Sequence, residues 1–352
     1  MIRILNFNVA FNDKSSLQEL AAKRLNLAPQ DIREVLIVRK AIDARRFHGA
    51  PIRFVYMLDV ALEGNEKKVL ARFKKDKNIQ PAKAQIQEKL TVPPLAGEEK
   101  PPVVVGFGPA GMFAALTLAR HGYRPLVLER GRDVDSRHRD IEKFWQGGAF
   151  DEVSNVQFGE GGAGTFSDGK LTTRVNDPLM SQVLEDFVTA GAPPEIKYLH
   201  KPHIGTDLLR QVVKNIRLEI IRLGGEIRFE SRVTGVRMGA AGEIQAVEVN
   251  NQDSIPASTV FMGIGHSARD TYEMLWEKGW LWRLRPLPLE CVSSILRNGL
   301  IWPNTGRMQV ILCCLWLIMP LPTMTAVPAE ERIPSVCVLV VRWWLRPRKM
   351  AA

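Results

Sequence analysis

The stretch Val103-Val104-Val105-Gly106-Phe107-Gly108-Pro109-Ala110-Gly111 constrains the chain more than any other. A short apolar run leads into G-x-G-x-x-G. Met112 to Arg120 then reads as a helix, and a second apolar run, Pro125 to Leu128, ends on Glu129. Strand, glycine turn, helix, strand and acid in that order specify a βαβ unit that binds a dinucleotide. Each residue type has a physical task. Gly106 permits the tight turn, Gly108 lets backbone approach a pyrophosphate, and Gly111 lets helix and strand pack closely. The helix N-terminus, with Pro109 and Ala110 in its first turn, offers unpaired N–H groups and a positive dipole end. Glu129, eighteen residues past Gly111, can accept both hydroxyls of a ribose.

The 352 residues, 45% hydrophobic, suffice for two or three domains with buried cores. Residues 1–90 read as a small α+β domain. Ile2 and Ile4, with Phe7 and Val9 less regularly placed, suggest a first strand. Ser15 and Ser16 can cap a helix carrying Leu17, Leu20, Ala21 and Leu25 on one face. Asp31 to Lys40 shows mixed periodicity, and Arg53 to Val60 reads as a strand. The basic run Lys67 to Lys77 has few interleaved aromatics, so it reads as a solvated face rather than a nucleic-acid patch. Prolines 93, 94, 101 and 102 mark residues 91–102 as a linker. The dinucleotide-binding domain is expected over 103–278.

Arg130 follows the acid and can help neutralise a phosphate. Arg132, Arg137 and Arg139 fit a solvated charged helix equally well. A second glycine-rich stretch, Gly159 to Lys170, frees many backbone N–H groups to lie against a ligand. Within it Gly161 and Gly162 supply the flexibility, and Thr165, Ser167 and Lys170 can add donors to a phosphate or a ring oxygen. His200-Lys201-Pro202-His203 is a poor metal pair because proline prevents the helical spacing that would aim both rings together. It reads as a polar loop facing the cleft. Thr206 can cap a helix running to Leu223. Three strands follow, then a buried run ending in Gly263-Ile264-Gly265.

With these motifs in order, the chain resembles the FAD-dependent oxidoreductases known as NAD(FAD)-utilising dehydrogenases, of the glutathione-reductase-type flavoprotein architecture. The carrying residues are Gly106 to Gly111, Leu128 to Gly131, Phe158 to Arg174, Lys201 to Asp207 and Gly265 to Asp270. The resemblance covers about residues 1–278. It implies an α/β fold in which a Rossmann-like FAD-binding domain follows the small α+β domain. It also implies FAD as cofactor, NAD(P)H as candidate electron donor, an unidentified small-molecule substrate, and a Gly161–Lys170 loop lining the flavin side. It nominates no catalytic acid, base or redox cysteine. Two other readings stand beside it: a NAD-binding dehydrogenase, and a non-catalytic protein that uses its N-terminal domain for binding.

After Gly279 the chain changes character. Six of its eight tryptophans and all four cysteines (Cys291, Cys313, Cys314, Cys337) lie there, with nine basic residues against three acidic ones and no aspartate. Much of the formal net charge of +10 therefore sits in this segment and does not argue for a nucleic-acid partner. No cysteine pair has a metal-ligand spacing. Codons for A-F-A-I-G-V-R-I-E-H-P, read one base later, give Pro286 to Leu296. Codons for C-P-G-G-T-V-V-V-A-A-T, shifted the same way, give Val338 to Pro347. Both unshifted peptides resemble the family's continuation, so residues 279–352 read as an out-of-frame tail on a truncated copy that holds FAD weakly or not at all. The N-terminus lacks a signal-peptide core, and the longest apolar run, Val310 to Met319, is too short to span a bilayer. The expectation is a cytoplasmic chain with no membrane span.

Overall fold

The computed structural model describes residues 1–45, 52–82, 100–166, 169–171, 179–240, 242–278, 310–313 and 338–341. The chain divides into two compact units. One comprises residues 1–90, 170–172 and 176–205, and the other residues 91–169, 173–175 and 206–352.

The first unit is built on a four-stranded sheet. Its strands are β1 (Ile2–Ala10), β2 (Ile32–Asp43), β3 (Arg53–Leu62) and β4 (Ile79–Pro81), in the order β2-β3-β1-β4. The named pairs are antiparallel. Helix α1 (Leu17–Leu25) starts at Ser16, whose hydroxyl accepts the Glu19 N–H while the Glu19 carboxylate accepts the Ser16 N–H. This reciprocal cap satisfies two donors that a helix start would otherwise leave open. Helix α2 (Glu66–Arg72) is capped by Asn65. Ile2, Ile4, Leu25, Leu58 and Val60 form the centre of the core. Lys67, Lys68, Lys74, Lys75 and Lys77 are all exposed.

The mixed stretch 31–40 proves to be most of β2, a single twelve-residue strand. Its pairing with β3 shifts register between Ile32 and Glu34 and again between Ile37 and Arg39. Each shift moves the following side chains to the opposite face, so no period of two survives along the strand. A similar irregularity between Ile4 and Phe7 explains why β1 alternates cleanly only at its start.

The second unit contains a parallel sheet. Strands β5 (Val103–Val105), β6 (Leu126–Leu128), β7 (Glu226–Arg228) and β11 (Val260–Met262) run in the order β11-β5-β6-β7, each parallel to its neighbour. Between β7 and β11 the chain makes an antiparallel meander of β8 (Val233–Met238), β9 (Ile244–Val249) and β10 (Asp253–Pro256). Helices α3 (Pro109–Arg120) and α6 (Thr206–Arg222) pack against each other. Val103, Val105, Leu126 and Leu128 pack in one core with Val236, Val247 and Leu275. Val104 lies against Gly111 of α3, on the other side of β5. Strands covered on both faces must be apolar throughout, which is why Val103–Val105 and Leu126–Leu128 show no alternation. The remaining helices are α4 (Val134–Trp145) and α7 (Arg269–Glu277) in this unit and α5 (Leu179–Thr189) in the first. Two short strands of the anomalous segment, β12 (Val310–Cys313) and β13 (Val338–Val341), extend the sheet beyond β11 in antiparallel sense. Among the described residues no helix is long and apolar enough to cross a membrane.

Gly111 marks where the helix must meet the strand. A Cβ there would stand 1.9 Å from the Gly106 carbonyl oxygen and 3.3 Å from the Val104 side chain. Gly111→Ala is therefore expected to lower stability by about 2–3 kcal/mol despite alanine's better helix propensity, as overpacking does. Urea unfolding followed by far-ultraviolet circular dichroism checks this.

Candidate dinucleotide cleft

The cleft opens where β5, β6 and β11 end. Gly106 follows β5 with φ of +90° and donates its N–H to the Leu128 carbonyl at 2.8 Å. A Cβ there would lie 2.5 Å from the Gly263 carbonyl oxygen, so the turn requires glycine on both conformational and steric grounds. Gly108 then starts α3, with Pro109 in the first turn. The first backbone bond of the helix runs from the Met112 N–H to the Gly108 carbonyl at 2.9 Å, so the N–H groups of Ala110 and Gly111 have no partner within the helix, and Gly108 and Ala110 line the cleft. A Cβ on Gly108 would meet nothing closer than the Gly162 Cα, 3.7 Å away. Its side of the turn is held open by the protein.

Glu129 ends β6 and is almost fully buried. Its Oε2 accepts the Phe107 N–H at 2.6 Å. Its Oε1 accepts the Gly131 N–H at 2.9 Å and the Gly159 N–H at 3.0 Å. A carboxylate offers about four acceptor positions, so roughly one remains for a ligand. The loop that supplies Gly159 approaches because Gly131 has no side chain: a Cβ there would be 2.6 Å from the Gly159 Cα. The Gly161 N–H closes the arrangement by donating to the Phe107 carbonyl at 2.8 Å.

Arg130 lies beside this acid. Its guanidinium sits 4.4 Å from the centre of the Phe158 ring and donates to Asp270 at 3.0 Å and to the Thr271 hydroxyl at 2.8 Å. Burial pushes the Asp270 carboxyl up, but the hydrogen bond and the charge of Arg130 lead the opposing effects that hold it below its ordinary range. On the β11 side, Gly265 takes φ of +69°, and its carbonyl accepts the Tyr272 hydroxyl at 2.9 Å. Burial, followed by the nearby Arg269 charge, pushes the neighbouring His266 below the usual imidazole value.

Gly106, Gly108, Pro109, Ala110, Glu129, Arg130, Gly162 and Gly265 thus line one cleft. Gly111, Gly161 and Thr165 are not among the lining residues. Thr165 is buried, and its hydroxyl sits where a Gly161 side chain would be, with no hydrogen-bond partner among the described residues. Ser167 lies outside the described residues. Lys170 belongs to the first unit, where it forms an isolated antiparallel bridge with His203. In that unit His200 Nδ1 is 2.6 Å from the Arg39 guanidinium. No group of three or more His, Cys, Asp or Glu side chains is placed to hold a metal among the described residues.

Sequence reasoning did not find Phe158 as the partner of Arg130, nor Ser231, Val233 and Thr271, which also line the cleft. These come from the turn before the meander, from the start of β8 and from α7, and carry no motif of their own. The solvated-helix reading of α4 fails at Arg137, which is fully buried. It holds for Arg139, whose exposed guanidinium bonds the Ser136 hydroxyl at 3.0 Å.

Glu160, on the loop after α4, is also buried. Its Oε2 accepts the Val134 N–H at 2.7 Å, and its Oε1 lies 3.1 Å from Arg217 Nε without the alignment of a hydrogen bond. Burial raises its carboxyl from 4.5 to about 7, with Arg217 and the Val134 N–H opposing the rise.

A model of the family described as "Domain of unknown function (DUF8436)" matches residues 1–61. A protein of Clostridium beijerinckii, described as uncharacterized, is 48% identical over 279 residues, covering 79% of this chain and 51% of that protein. The chain spans about half the length of that relative. Among solved structures, Thermovibrio ammonificans THI4 overlaps at 17% identity with a TM-score of 0.35, over 52% of this chain and 64% of that one. Glycine oxidase from Bacillus cereus overlaps at 11% identity with a TM-score of 0.32, over 51% and 58%.

The titration of Glu160 has a measurable consequence. The fold holds its proton more tightly than the unfolded chain does. The resulting stabilisation is complete below pH 4.5 and is lost as pH rises through about 7. The full amplitude is about 3 kcal/mol. Denaturant midpoints measured from pH 5 to 8 should fall more steeply with pH in the wild type than in Glu160→Gln.

Proposed function

We propose that the cleft binds the adenosine diphosphate part of a dinucleotide, that the dinucleotide is FAD, and that the chain derives from an FAD-dependent oxidoreductase. One observation carries the reading. A glycine turn, a helix N-terminus and a buried acid with one acceptor position free converge at the ends of β5 and β6. Beside them β11 lies on the opposite flank of β5. That crevice is where parallel α/β sheets take their ligands.

The residues present fit such a ligand. The open space at Gly108 and the first turn of α3 suit a pyrophosphate. Glu129 takes one ribose hydroxyl rather than the pair that its spacing suggests. Arg130, over the Phe158 ring, offers a cation to the cleft. The motifs Phe158 to Arg174 and Gly265 to Asp270, with their resemblance to flavin-dependent enzymes, favour FAD over NAD. When bound, FAD supplies the hydride chemistry, and the protein supplies binding and electrostatics.

Residues 279–352 are best read as an out-of-frame tail. Their composition supports this, and the 48%-identical relative aligns over 279 residues, 79% of the chain. Sequencing the locus should reveal a single-base shift near codons 278–280 that restores an open frame. A locus in which no single-base shift does so contradicts the reading.

The cofactor proposal predicts that the chain purifies without stoichiometric flavin yet takes up added FAD in a calorimetric titration. Gly108→Ala should weaken FAD at least tenfold while leaving the unfolding midpoint nearly unchanged, because the new methyl meets only ordinary contact in the protein. Absence of FAD uptake by folded wild type, or equal affinity in the variant, contradicts the proposal. Tighter binding of NAD than of FAD would transfer the site to a nicotinamide cofactor.

A further inference from the structure

Arg137 has unusual surroundings for an arginine. It is completely buried on α4, yet among the described residues no carboxylate hydrogen-bonds it. Its guanidinium instead donates to four backbone carbonyls of one loop: Asn155 at 2.8 Å, Val156 at 2.9 Å, Gly159 at 3.3 Å and Glu160 at 2.6 Å. The Phe166 ring lies 4.7 Å from the guanidinium carbon. The stem of Arg137 occupies the space that a Gly159 side chain would need, with its Cδ 2.5 Å from that Cβ position, and Gly159 has φ of +116°. Burial lowers its affinity for the proton, to a value of about 10, while the charges of Glu129 and Glu160 oppose the fall. It is therefore cationic at neutral pH.

The gripped loop serves the cleft directly. Gln157, Phe158 and Gly159 line it, while Arg137 itself does not. The Gly159 N–H is one of the three donors that orient Glu129. A planar fork with five donors can serve several carbonyls at once, whereas an ammonium offers three donors from one point.

We propose that Arg137 is the positioning residue of the sugar-binding acid. By fixing the 155–160 loop it sets the Gly159 N–H against Glu129, and so determines which carboxylate lone pair faces a nucleotide hydroxyl. The inference rests on the cleft being an adenine-nucleotide site. Its content is that discrimination for the sugar hydroxyls depends on a side chain that touches no ligand.

The test is calorimetric titration of the full chain with ADP and with 2′,3′-dideoxy-ADP. Wild type should prefer ADP about tenfold, the order expected for one hydrogen bond to a charged acceptor. Arg137→Lys, which keeps charge and stem, should reduce the preference to twofold or less. A purely structural role would weaken both nucleotides equally and leave the ratio intact, which overturns the inference. Should that variant fail to fold, Phe166→Leu removes the ring under the guanidinium and must lower the same ratio at least twofold; an unchanged ratio overturns the inference. A wild type that binds ADP without preference also overturns it while leaving the cleft reading standing. A folded wild type that binds neither nucleotide overturns both.

Discussion

The second unit depends on a buried carboxylate. Glu129 draws the N–H groups of Phe107, Gly131 and Gly159 onto one charge. These donors come from the turn after β5, the turn after β6 and the loop after α4. Hydrogen bonds to a charged group contribute about 1.5–3 kcal/mol each, against a desolvation cost of several kcal/mol for the buried anion. The balance is met only if all three donors arrive together. This makes the acid an organiser of three loops as well as a candidate ligand group.

The glycines follow from that requirement. Gly106 cannot carry a side chain beneath the Gly263 carbonyl, and Gly131 and Gly159 meet backbone to backbone. Arg137 and Glu160 then hold the far side of the same loop through its carbonyls and through the start of α4. What remains open is the space at Gly108 and one lone pair of Glu129. The cleft is thus defined by what its neighbours leave unfilled.

The fingerprint from Val103 to Glu129 was legible because each of its residues answers to a local constraint: a positive φ, a close approach, a helix start or a strand end. The Ser16 cap of α1 and the course of α6 from Thr206 were legible for the same reason. Strand β2 was obscured by two register shifts, which alternate its faces without a period. Arg137 was obscured more deeply. Beside Arg132 and Arg139 it looks like part of a solvated helix, and only the fold of the 155–160 loop over it makes it a core residue. Arg130 and Phe158 lie far enough apart in sequence that no spacing rule joins them. The Gly159–Lys170 stretch was legible as a glycine-rich loop lying against a ligand, but which of its groups face the cleft depended on tertiary packing: Gly162 lines it, whereas Gly161 does not and the Thr165 hydroxyl turns toward Gly161.

The most direct test of the central claim is backbone amide hydrogen exchange of the full chain with and without FAD. The account predicts slowed exchange in four separated segments, 106–112, 129–131, 157–163 and 263–267, and little change in residues 1–45. Saturating FAD that leaves all four segments unprotected, or that protects only residues elsewhere, would contradict it.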